Sequence, residues 1–197
     1  MGKGNWLSRV LGRKAEGEES LPEPSALSAA EWNDKGMELR ALGRHKEALA
    51  CYERGLEVDP SHGSLWKNKG VALNALGRWA AGLPCHEHAL EIDPGDSDLW
   101  LNKGVALSML RRFEEALAAF ERGLEINPSD ARLLNGKGAT LTALRRFEEA
   151  LACYDRGLEI DPSDPRLWRN KGEALRGLGR TQEQEACFQR ARELRGR

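Results

Sequence analysis

The chain has 197 residues, with 30 Lys and Arg against 31 Asp and Glu and a net charge of −1. That balance argues against a dedicated nucleic-acid or membrane-surface protein, both of which rely on a large field of one sign. No apolar run reaches the roughly 18 residues that span a bilayer, and the N-terminus lacks the apolar stretch of a secretory signal, so a cytoplasmic location is expected.

Residues 1–28 read as a tail. Trp6, Leu7, Val10 and Leu11 fall on one face of a short helix, flanked by Lys3, Arg9, Arg13 and Lys14. Several readings stand side by side. The helix could touch a membrane, though one short apolar face anchors weakly. It could fold back over the first unit of the chain, dock in the groove of a second copy, or stay disordered, since helices this short are marginal alone. Gly2 follows Met1, but Trp6 stands where a myristoylation signal needs Ser or Thr. Glu16 to Ser28 is acidic and contains Pro22 and Pro24, the composition of an exposed linker.

Beyond Leu27 the sequence repeats itself every 34 residues. Trp32, Trp66, Trp100, Leu134 and Trp168 mark the period, as do Gly36, Gly70, Gly104, Gly138 and Gly172. Pro60, Pro94, Pro128 and Pro162 close the first four units. Such a period signals a row of similar units, each packed mainly on its neighbours. The units are 29–62, 63–96, 97–130, 131–164 and 165–197, and numbering each from its first residue puts Trp at place 4.

Within a unit, Ser28 and Glu31 form a capping box that starts the first helix. Places 4, 8, 11 and 14 carry Trp, Gly and two Leu on one helical stripe. Glycine in mid-helix costs about 1 kcal/mol, so its recurrence at place 8 predicts a neighbour too close for a side chain. Gly43, Gly77 and Gly179 at place 15 predict left-handed helix ends, and Arg111 and Arg145 there predict mild strain. The second helix has a small residue at place 20 in four units, an aromatic or His at place 24 and Gly or Ala at place 27. It stops at an Asp-Pro or Asn-Pro step.

Two units depart from the pattern. In the second, Gly82 and Pro84 predict a local shift over Ala80 to Pro84. Its Cys85-His86-Glu87-His88 run has no second ligand pair, so no metal is expected. In the fifth, Glu185 and Arg192 replace the leucines of places 21 and 28, a charged face expected to close the row. Cys51, Cys85, Cys153 and Cys187 share one place, too far apart from unit to unit for disulfides, and read as small apolar fillers.

These residues resemble the tetratricopeptide repeat, a 34-residue helical hairpin. The resemblance implies an all-α fold, a right-handed α-solenoid of antiparallel helix pairs with five repeats. The lysine at place 7 (Lys35, Lys69, Lys103, Lys137, Lys171) departs from the family pattern and is expected to lie along apolar surface with its ammonium in water. The resemblance also implies that places 2, 5, 6, 9, 12 and 13 of the first helix line a concave face that holds peptides.

That face is the least repetitive part of the sequence. It supplies the candidate peptide-binding residues Lys67, Asn68, Val71, Leu101, Asn102 and Val105, with Arg132, Asn135, Arg166, Arg169 and Asn170 further on. Asn68, Asn102 and Asn170 at place 6 are similar to an asparagine ladder that grips a peptide backbone, broken at Gly136. Lys67, Asn102 and Arg132 match part of the family's carboxylate clamp, while Val71 and Gly136 do not. Arg132, Arg166, Arg169 and Arg176 make the C-terminal half basic and the middle is apolar, so the expected ligand has an apolar segment and an acidic end. No phosphate loop, nucleophile signature or paired metal motif is present, and neither enzymatic activity nor a cofactor is expected. A nucleic-acid edge built on Arg44, Arg78, Arg112, Arg146 and Arg180 is undercut by Glu47, Glu115 and Glu149 three residues on.

Overall fold

The computed structural model describes residues 27–196. The readings made for Trp6 to Leu11 and for the linker fall outside them. Among the described residues the chain is all helix and turn, with ten helices in five consecutive pairs. The pairs are α1 (Ala29–Ala41) with α2 (His45–Val58), α3 (Gly63–Ala75) with α4 (Trp79–Ile92), and α5 (Ser97–Met109) with α6 (Phe113–Ile126). They continue with α7 (Ala131–Ala143) and α8 (Phe147–Ile160), then α9 (Pro165–Gly177) and α10 (Thr181–Arg195). This is the expected solenoid.

Local chemistry sets the ends. Ser28 accepts from the Glu31 amide while the Glu31 carboxylate accepts from the Ser28 amide at 2.8 Å, closing the capping box. Asp96, Asp130 and Asp164 cap α5, α7 and α9 through their side chains, whereas α3 starts at His62 with no side-chain cap. Gly43, Gly77 and Gly179 take φ of 71–74°, and Arg111 and Arg145 take 61° at the same place. Each arginine lies over a following ring, Phe113 at 5.6 Å and Phe147 at 5.7 Å, which offsets part of the strain.

Close approach explains the glycines of place 8. A Cβ on Gly104 or Gly138 would stand 2.6 Å from a ring carbon of Phe120 or Tyr154, the place-24 aromatic of the same repeat. At place 27, Gly55, Gly123 and Gly157 admit Leu65, Leu133 and Leu167 from the next repeat. Those leucines, with Leu99, sit at place 3 and are 0–2% exposed. Each buried leucine contributes about 2 kcal/mol. In the first repeat the same place is Glu31, spent on the cap.

The place-7 lysines tie repeats together. Lys69, Lys103, Lys137 and Lys171 reach Glu53, Glu87, Glu121 and Asp155 of the preceding repeat at 2.5–3.4 Å. Lys69, Lys103 and Lys171 also stand 5.5–5.8 Å over the tryptophans of their own repeats. A second tie runs from Trp66, Trp100 and Trp168, whose indole N–H groups donate at 2.7–3.0 Å to the carbonyls of Pro60, Pro94 and Pro162.

The shift expected at Pro84 does not occur in the helix boundaries. Helix α4 has 14 residues, as do α2, α6 and α8, and runs through Pro84. The proline is exposed and near the helix start, where the amide it lacks removes one bond to the Ala80 carbonyl and leaves the buried face untouched. The leucines of places 21 and 28 are largely buried between repeats, while Glu185 and Arg192 are exposed and bonded to each other at 2.8 Å.

Candidate functional site

Helices α1, α3, α5, α7 and α9 each approach the next of their kind more closely than successive second helices do. The first helices are therefore drawn together and the second helices splayed, which bends the stack with the first helices inside. Places 2, 5, 6, 9, 12 and 13 come together on that inner face.

The asparagines there pair across repeats, one step off the expected ladder. Asn68 donates to Asn33 at 2.8 Å, and both are buried. Asn170 donates to Asn135 at 2.9 Å, with both half-buried. The contact joins place 5 of one repeat to place 6 of the next. At the corresponding step between repeats three and four the pair is Leu101 and Gly136. A Cβ on Gly136 would stand 2.6 Å from the Phe120 ring, and Leu101 and Val105 pack against the core cluster containing Phe120. Asn102 is half-buried and makes no hydrogen bond among the described residues.

The charges are largely spent inside the molecule. Lys67 lies 2.6 Å from Asp96 and 3.7 Å from Asp98. Arg132 lies 2.7 Å from both Asp98 and Asp130. Asp98 thus stands between Lys67 and Arg132, where a ligand carboxylate would sit in a carboxylate clamp. Arg166 is held by Asp164 at 2.8 Å, and Arg176 by Glu173 at 2.5 Å. Burial works to raise the Asp130 and Asp164 carboxyls, but side-chain and backbone hydrogen bonds from Arg132 and Arg166 outweigh it and hold both below the usual range. Arg169 alone among the basic inner-face residues of repeats four and five is exposed and without a carboxylate partner among the described residues.

Between these polar steps lies an apolar floor. Val71, Leu101 and Val105 are half-buried there, Ala139 is open, and Met109 is 56% exposed. The sequence reading named Val71, Leu101 and Val105 as candidates, and did not single out Asn33, Asp96 and Asp98, the partners that engage Asn68, Lys67 and Arg132. Asp96 at the N-cap of α5 could have been read as a cap, but nothing local shows that it also meets Lys67, 29 residues away.

Three tetratricopeptide-repeat models match the sequence, over residues 29–62, 61–129 and 111–175. The chain belongs to the tetratricopeptide repeat family. Such repeat proteins are generally non-enzymatic scaffolds. No curated protein matches at the level of sequence. Among solved structures the chain resembles a MamA protein at 20% identity, with a TM-score of 0.73 over 84% of this chain and 91% of that one. It resembles MamA from Desulfovibrio magneticus RS-1 (residue 41 to the end) at 17% identity, with a TM-score of 0.76 over 89% and 97%. YrrB, a TPR protein with an unusual peptide-binding site, is 21% identical, with a TM-score of 0.66 over 83% and 84%. At these identities the likeness is one of fold.

No helix among the described residues is long and apolar enough to cross a membrane.

Proposed function

We propose that this tetratricopeptide repeat protein is a scaffold that binds an extended segment of a partner protein along its inner face. The observation that carries the reading is the floor built from Leu101, Val105, Met109 and Ala139, which keeps apolar side chains open to solvent between polar steps. The peptide site described for YrrB accords with it, on a shared fold. An acidic end of the ligand lies towards repeats four and five, where Arg169 is available, and a cytoplasmic setting suits such a scaffold. A clamp for acidic C-terminal tails centred on Lys67 and Arg132 is the weaker reading, because Asp98 already neutralises both.

The test is a pull-down of partners by the wild-type chain and by Met109→Asp. The aspartate points into the groove from an exposed position and leaves the core intact. Proteins recovered by the wild type and lost with the variant are groove partners; identical recoveries refute the reading. A tail that docks in a second copy's groove would instead show as a mass in solution that falls when residues 1–27 are deleted.

A further inference from the structure

We infer that the N-terminal tail is a built-in end cap for the stack. The apolar face of Trp6, Leu7, Val10 and Leu11 lies over Trp32 and Cys51 of repeat one, within the same molecule.

Each repeat turns one face towards the repeat before it, and repeat two shows what that face contains. Trp66 and Cys85 pack in one cluster with Leu49 of repeat one, and Leu56 of repeat one packs in a cluster with Trp66. Cys85 feels the charge of Lys69 in its own repeat and of Glu53 in the preceding one. Places 4, 7 and 23 therefore look backwards along the stack. The leucines of places 21 and 28 in the preceding repeat cover them.

Repeat one has the same face, made of Trp32, Lys35 and Cys51, and the Lys35 charge reaches Cys51. Among the described residues only Leu27 and Ser28 precede α1, so no repeat stands in front of it. This end should be the most open in the molecule. It is the most closed. Trp32 and Cys51 are both 0% exposed, whereas Trp66, Trp100 and Trp168, each behind a full repeat, are only half-buried. Cys85 and Cys187 keep 4–5% exposure, and Cys153 is half-buried. Neither Trp32 nor Lys35 is without a partner.

The cover has one source. Leu27 packs against the cluster that holds Trp32, so the chain enters repeat one from this side. Residues 1–26 are what remains of the chain before it. They hold one stretch fit to stand in for the missing leucines, with four apolar residues on one helical side. Residues 12–26 join that stretch to Leu27, and at up to about 3.3–3.6 Å per residue they reach back across a hairpin. The other end of the stack differs in kind, with Glu185 and Arg192 paired in the open.

The thiols test the cap, because every repeat but the third carries one at place 23. The full chain is labelled with a small maleimide and the modified cysteines are mapped by mass spectrometry. Cys51 should react as slowly as Cys85 and Cys187, and Cys153 faster. Leu7→Asp/Val10→Asp should speed Cys51 by roughly tenfold or more and leave the other three unchanged. Burial pushes the Cys51 thiol up to about 11, so uncovering it also restores thiolate and adds to the rate. Asn5→Asp, on the opposite side of the same helical stretch, should change none of the four. If Cys51 stays protected in Leu7→Asp/Val10→Asp, the tail is not the cover. A rise at all four thiols means general loosening and overturns the assignment as well. Mass in solution should show a monomer for the wild type. A wild-type dimer that the same variant splits means the cover comes from a second copy, and closure within one molecule is wrong.

Discussion

Repeats two and four depart from the shared pattern in different layers. Repeat two changes its core. His86 takes the aromatic place over Gly70, and the Asn74 side-chain amide donates to its Nε2 at 3.0 Å. That amide occupies the space an alanine methyl would take at place 20, and the residue there is Gly82. Repeat four keeps the ordinary core, with Tyr154 over Gly138, its hydroxyl 3.1 Å from Thr142 and Ala150 at place 20. Its change is at the rim, where Leu134 replaces the tryptophan that in repeats two, three and five donates to a proline carbonyl. Arg156 supplies the missing donor to Pro128 at 2.7 Å. In both repeats a change on the first helix is answered from the second helix of the same repeat, so the frame passes on undisturbed to its neighbours.

The largest test of this contrast is acid stability. Burial, and then the Lys67 charge, pull His86 from its usual 6.5 down to about 4. Above pH 6.5 the ring is neutral both folded and unfolded. As pH falls from 6.5 to 4 the unfolded chain takes up a proton that the folded chain refuses, so stability drops by up to about 3 kcal/mol. Denaturant titrations at pH 7 and pH 4.5 should show His86→Tyr losing that part of the decline. Tyr154, whose hydroxyl burial pushes upward, adds no slope in this range. Tyr154→His should transplant one into repeat four.

Next in size is the coupling between Asn74 and Gly82. A methyl at Gly82 would collide with the Asn74 amide oxygen and stand 3.2 Å from the Gly70 carbonyl oxygen. Gly82→Ala should therefore cost about 2 kcal/mol, although alanine is the better helix former by about 1. Adding Asn74→Ala should recover much of the loss in a double-mutant cycle. The reverse change in repeat four, Ala150→Gly, should cost about 1 kcal/mol and show no such coupling to Thr142. A stabilising Gly82→Ala would break the comparison.

At the rim, Arg156→Ala leaves the Pro128 carbonyl without its donor and should cost about 1 kcal/mol. The equivalent Arg122→Ala removes only an exposed pair with Glu125 and should stay within about 0.5 kcal/mol. Thermal melts of the two variants should separate them. The smallest effect belongs to the turns. Repeat two has Gly77 where repeat four has Arg145 at a φ of 61°. Arg145→Gly relieves about 1 kcal/mol of backbone strain and gives up about 0.5 of ring contact, a net gain of about 0.5 visible in the denaturant midpoint.

The glycines of places 8 and 15 were readable because each reports a local condition, a ring too close or a left-handed backbone. The leucines of place 3 were not, since their burial comes from the preceding repeat and not from the stripe of their own helix. On the inner face the candidate residues were legible as the positions that vary between copies. Their availability was not. Asn68 looks identical in sequence to Asn102, yet one is paired and buried and the other keeps its amide free.

The sequence alone therefore determined the period, the number of hairpins, the capping box at Ser28, the left-handed turns and the face that varies. Those properties come from nearest-neighbour packing repeated at a constant interval, which one line of letters records in full. Only the tertiary structure decided which polar groups on that face remain to meet a partner. Pairing there joins Lys67 to Asp96, Arg132 to Asp98 and Asn170 to Asn135, across 29 to 35 residues. A hydrogen bond or ion pair forms within about 3 Å, a distance set by how the helices stack.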